Sequence, residues 1–144
     1  MIYYDLKILH ILCAGLLLTG FVYCYRLWIG LKEPSTKTLN VQRIQSITWQ
    51  IILPIAIIQL VTGFTIISIK HEDLTQFWIS GSVIGFIIVI SSWLGFTYFL
   101  LASQQAGSNY SLLRKAQSLC LLICSSALLS MIFFMANKIV ANHG

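Results

Sequence analysis

The chain has 144 residues, of which 58% are hydrophobic and 9% charged, and its formal net charge is +5. Soluble domains carry about 25% charged residues, so this composition excludes an ordinary aqueous domain and calls for a lipid bilayer as solvent. The positive charge is not a nucleic-acid surface: the basic residues fall between apolar stretches, with no aromatic-basic face among them.

Four stretches, about 6–29, 47–69, 77–101 and 113–140, are apolar throughout, and each supplies the roughly 20 helical residues that cross a hydrocarbon core. The first has no small-residue cleavage site leading into a soluble domain, and further spans follow it, so it is expected to stay in the protein. Between the first and second spans, "GLKEPSTKTLNVQR" carries Pro34, Ser35, Thr36 and Asn40 and predicts a turn-rich loop. "KHEDLTQ" and "ASQQAGSNYS" make the other connections. Connections this short join neighbours. The expected fold is therefore all-α: one polytopic membrane domain over residues 1–144, an antiparallel bundle of four transmembrane helices.

Charge sets the expected orientation. The side that holds both termini carries Lys7, Lys70 and Lys138 against Asp5, Glu72 and Asp73, whereas the other carries Arg26, Lys32, Lys37, Arg43, Arg114 and Lys115 against Glu33 alone. Basic loops stay in the cytoplasm. Loops 30–46 and 102–112 are then cytoplasmic and the termini periplasmic, in the inner membrane of a bacterium. Trp28, Trp49 and Trp78, near span ends, fit interfacial belts.

Within the first span, "LKILHILCAGLLLTG" sets His10 among apolar residues. An ionisable side chain inside a span costs about 2 kcal/mol or more without a partner or water, which makes it a functional candidate. The alternative is an interfacial imidazole beside the headgroup anchors Tyr3, Tyr4 and Lys7. At 3.6 residues per turn, Cys13, Ala14, Leu17, Phe21 and Cys24 share the His10 face. Small groups at Cys13 and Ala14 leave room for a flat ligand such as a porphyrin, and equally for a neighbouring helix. His71 and His143 fall on the same membrane side as His10 and read as loop and tail residues.

The second span, "WQIILPIAIIQLVTGF", holds Pro54, which cannot donate to the Gln50 carbonyl and predicts a bend, and Gln59, a polar group expected to point inward as packing glue or as a ligand contact. In the third span Gly81 and Gly85 have the four-residue spacing of close helix packing. The fourth carries Cys120, Cys124, Met131 and Met135. Thioethers suit haem iron or Cu(I), though such methionines more often fill cores. No C-x-x-C occurs, which argues against thiol-disulfide exchange. No carboxylate lies inside a span, and the span serines have no base nearby, so a proton pump, an aspartyl protease or a serine hydrolase lacks its parts.

The opening "MIYYDLKILHILCAGLLLTGFVYCYRLW" resembles the first span of the HemJ-type protoporphyrinogen oxidases through Tyr3, Tyr4, Lys7, His10, Gly20, Tyr23, Arg26 and Leu27. Over its full length the chain is similar to a related family of four-helix bacterial integral membrane proteins. Those share "LK-x-x-H", then Trp49, Leu53, Pro54, Gln59, Thr62 and Gly63, and an ending like "FFMANK". Both groups resemble CopD-type copper-resistance proteins. The resemblance implies a helical bundle with the first-helix histidine at the working site and, for the HemJ branch, haem b and porphyrinogen oxidation. HemJ-type proteins also carry a histidine-lysine element where this chain reads "FWISGSVIGF", so the ligand role of His10 carries over while a porphyrin-oxidation or other haem-dependent oxidoreductase role stays open.

The leading expectation is a membrane redox protein that binds haem b or a porphyrin. His10 is the iron or metal ligand, Cys13, Ala14 and Gln59 line the site, and Met131, Met135, His71 and Lys138 are candidates for a second ligand. Bis-histidine ligation would need His71 or a second copy in a homo-oligomer; besides lipid, the partners expected are a porphyrin or a quinone. The next expectation is a cofactor-free structural or assembly subunit held by Gly81, Gly85 and Gln59. The third is copper handling by His10, Cys13, Met131 and Met135.

Overall fold

The computed structural model describes the backbone of residues 2–32, 37–71, 76–105 and 110–141, and their side chains except at 32, 105, 110 and 134–141. The described residues contain helices and no strand. Four helical segments, Ile2–Ile29, Lys37–Lys70, Phe77–Gln104 and Ser111–Phe133, are long and apolar enough to cross a membrane. Many of their large apolar side chains are exposed, Ile11 at 60% and Leu12 at 58% among them. Water would not tolerate so broad an apolar surface on a monomeric protein, whereas lipid does. The protein is a four-helix integral membrane protein whose chain divides into two compact units, Met1–Glu72 and Asp73–Gly144.

The first unit is an antiparallel helical hairpin. Helix α1 (Ile2–Ile29) ends in a single 3-10 turn, Gly30–Lys32. Helix α2 (Lys37–Ile47) then runs through a π-helical turn, Thr48–Ile52, into α3 (Leu53–Lys70). Residues 37–47 are thus helical, which corrects the expectation of a loop over most of 30–46. The polar residues that read as a loop lie mostly on the outside, while Val41 and Ile44, then Thr48 and Ile52, form a buried stripe. That stripe is what holds the segment in helical form.

At Pro54 the structure shows an irregular turn. A π turn directly precedes the proline, in which the Leu53 N–H donates to the Thr48 carbonyl. Pro54 itself lies in the first turn of α3, where the missing N–H matters least. The α1 positions that face the second arm are Cys13, Leu17, Phe21 and Cys24. Their spacing of four, four and three residues keeps them on one helix face. Contacts down the hairpin keep antiparallel register. Lys70 Nζ lies 5.4 Å from the centre of the Tyr3 ring. A Cβ on Gly63 would meet His10 at 3.2 Å, one on Gly20 would meet Ile52 at 3.3 Å, and one on Gly30 would meet Asn40 at 3.2 Å.

The second unit pairs α4 (Phe77–Gln105) with α5 (Tyr110–Ala141). Val89, Trp93, Phe96, Leu100 and Ser103 are buried along α4 at the alternating four and three spacing of a coiled-coil seam. Trp93 and Phe96 pack with ring centres 5.1 Å apart. Gly85 receives Met131, since a Cβ there would fall 2.6 Å from Met131 Cγ, and Gly95 faces Cys120 Sγ at 3.5 Å. Gln117 Nε2 donates to the Phe99 carbonyl at 3.1 Å. A groove of about 500 Å³ between these helices is lined by residues including Ser80, Gly81, Ile84, Ser126 and Ser130. The three serine hydroxyls all donate to carbonyls of their own helices, so its walls offer no free polar group from them.

Candidate functional site

His10 lies about 10 Å deeper along α1 than Tyr3, whose ring meets Lys70. Its ring turns inward against α3 rather than outward as an interfacial anchor. Nδ1 is 2.9 Å from Thr62 Oγ1, and Nε2 is 3.0 Å from Gln59 Nε2. Gln59 and Thr62 are three residues apart on α3, so the two side chains lie one above the other and grip both edges of one imidazole.

The protons can be assigned from the partners. The Thr62 hydroxyl donates to the Ile58 carbonyl at 2.9 Å and is shared with the Gln59 carbonyl at 3.1 Å. Gln59 Nε2 carries only donors, so His10 Nε2 is the acceptor there, and Nδ1–H donates to Thr62 Oγ1, whose own proton then goes to its helix. His10 is thus held as a neutral imidazole with its lone pair on Nε2. The other end of that amide has no match: Gln59 is 9% exposed, and its Oε1 is buried without a hydrogen-bond partner. An unmet buried acceptor destabilises by about 1–3 kcal/mol.

Gly63 completes the site. A side chain there would meet His10 Cε1 at 3.2 Å. The room beside the ring therefore comes from α3, not from the small residues of α1: Cys13 is buried, but Ala14 and Gly15 are exposed. Thr62 and Gly63 enter the site although their residue types did not mark them as site residues. The signal lay in their sequence neighbourhood, since Gln59, Thr62 and Gly63 share one short motif on one helix face.

The remaining candidates divide between the two units, and Cys13 is buried one turn along α1 from His10. His71 caps α3 in a left-handed conformation, φ 53° and ψ 32°, with its N–H directed at the Ile67 and Ser68 carbonyls. It is exposed, about two turns, or ~12 Å, beyond Gly63. Met131 belongs to the second unit, packed over Gly85. The side chains of Met135 and Lys138, and all of His143, lie outside the described residues. Among the described residues no group of three or more His, Cys, Asp and Glu side chains could hold a metal ion. Cys13, Cys24, Cys120 and Cys124 are free thiols.

The arrangement can do two things chemically. It can hold two helices together through a desolvated polar contact, and, with the Gln59 amide turned away from Nε2, it could present one oriented nitrogen lone pair to a metal centre. No curated protein and no solved structure matches the chain. Neither comparison relates the chain to HemJ-type or CopD-type proteins. A family model spans nearly all of the sequence, residues 5–139, and by that match the chain belongs to the predicted integral membrane protein family DUF2269.

Proposed function

We propose that the protein binds haem b, or a porphyrin that carries a metal, and that His10 Nε2 would hold the metal, in the periplasmic half of a bacterial inner membrane. The single observation that carries this reading is the fixed tautomer. The Gln59 amide donates to Nε2 and Thr62 accepts from Nδ1–H at 2.9 Å, so the lone pair stands on the nitrogen that ligates iron. The donor fits the group in being a neutral imidazole, and Gly63, without a side chain, seats the ring against α3 in that orientation.

When bound, the iron would supply one-electron chemistry. The chain's own residues do the rest: His10 holds the group, Thr62 orients the ring, and the apolar helices around them keep water away. The positive-inside distribution supports periplasmic termini, and with them a site near the outer face.

Full-length protein purified in mild detergent is expected to show a Soret band, alone or after haem is added, with a reduced-minus-oxidised spectrum of the b type. His10→Ala should abolish it. No absorption under either condition would remove the haem reading, and metal analysis of the same sample would report copper if a thioether and thiolate site were the occupant instead.

A second reading is favoured by one specific observation: both ring nitrogens already have protein partners. A saturated imidazole can serve as a polar clamp between α1 and α3 in a cofactor-free assembly subunit. Loss of the hairpin's stability in His10→Ala, with no haem uptake by the parent protein, is the result expected of the clamp.

A further inference from the structure

We infer that Gln59 is an internal competitor for the ligating nitrogen of His10, a resident side chain that an incoming metal centre must displace. This rests on reading His10 as a ligand site, and it goes beyond that reading by assigning opposite roles to the two residues that hold the ring.

The two hydrogen bonds to His10 differ in how firmly they are anchored. Thr62 Oγ1 is fixed from two directions, accepting from Nδ1–H and donating into its own helix at Ile58 and Gln59. Gln59 is anchored only through the ring: its Nε2 donates to His10 Nε2, and its Oε1, though buried, touches no partner. An amide with one end idle in a water-poor setting is less satisfied than one with both ends met. Swinging the carboxamide aside therefore loses a single neutral bond and frees Oε1 to find a donor, while Thr62 keeps the ring in place. A metal centre and the Gln59 N–H need the same lone pair, so the two are mutually exclusive.

The prediction runs against the usual rule that removing a polar site residue weakens binding. Deleting the Gln59 amide should raise the availability of Nε2 by about three- to tenfold, the range that one neutral hydrogen bond is worth. Thr62→Val should lower haem affinity by a comparable factor, because the ring loses its orientation and its tautomer.

Two measurements on the full-length detergent-purified protein test this, each on the parent chain, Gln59→Leu, Gln59→Ala and Gln59→Asn. In the cofactor-free protein, the rate at which diethyl pyrocarbonate modifies His10 is followed by peptide mass spectrometry, with the exposed His71 as internal reference. Haem titration then gives the affinity. The expected result is a His10 rate about three- to tenfold higher at an unchanged His71 rate, and tighter haem binding by a similar factor. Unchanged or slower His10 modification in every variant that keeps its helical circular dichroism overturns the proposal. So does weaker haem binding in those variants, in which case the haem reading itself survives. Faster modification without haem uptake by any form leaves the competitor in place and removes haem as its rival.

Discussion

A histidine inside a membrane helix has to settle its two nitrogens somewhere, and in this protein it settles both on one neighbouring helix. Polar contacts between membrane helices average about 0.6 kcal/mol and reach about 1.7 kcal/mol. A double-mutant cycle of His10→Ala with Thr62→Val, read by thermal unfolding in detergent, should give a coupling in that range. Thr62→Ser, which keeps the hydroxyl, should restore most of it; zero coupling would mean that the Nδ1–Oγ1 contact holds nothing. Gly63→Val should weaken the same contact, because a branched side chain intrudes where even a Cβ meets the ring at 3.2 Å. His10 was legible from its depth in an apolar run. Of its partners, Gln59 was legible as the polar group of the second span expected to face inward, whereas Thr62 was named only within the second-span motif, because nothing in a one-dimensional pattern states that its hydroxyl comes level with the ring.

At the scale of the element, α2 and the π turn show where local composition misleads. Lys37, Thr38, Gln42, Arg43 and Ser46 have the polarity of a loop, yet the buried Val41 and Ile44 tie that segment to the hairpin. Amide hydrogen exchange over 37–47 should be slow, as in a packed helix, and exchange at the rate of an unstructured peptide would contradict the fold. Pro54 announced an irregularity, and the protein absorbs it as an extra residue in the preceding turn. In the second hairpin the close approach expected of Gly85 is made by Met131. Gly85→Ala should therefore destabilise α4 against α5 by about 1–3 kcal/mol through overpacking. Adding Met131→Ala should recover most of that loss in the same unfolding measurement, since it removes the atoms that the new methyl strikes.

At the scale of the whole molecule, function depends on which membrane face the His10 site approaches. A periplasm-dependent phosphatase fused after residue 144 is expected to be active, and the same reporter inserted between α1 and α2 inactive. The reverse pattern would place the site in the cytoplasmic half. The basic residues that set this expectation, Arg26, Arg114 and Lys115 near helix ends and Arg43 within α2 among them, belong to both hairpins, so the signal is shared by the entire chain.

The amino-acid sequence by itself determined the solvent, the number of spans and the antiparallel course of each hairpin, because these follow from apolar run length, charge placement and short connections, all of which are local. It also marked His10, since a lone imidazole in hydrocarbon is conspicuous wherever the chain goes. Only the tertiary structure decided that Gln59 and Thr62 hold opposite nitrogens of that ring, that Gly63 rather than Ala14 gives it room, and that one amide oxygen remains unmet. The reason is physical: a hydrogen bond is fixed by the register and rotation of two helices to within a fraction of an ångström, and apolar patterning is indifferent to both.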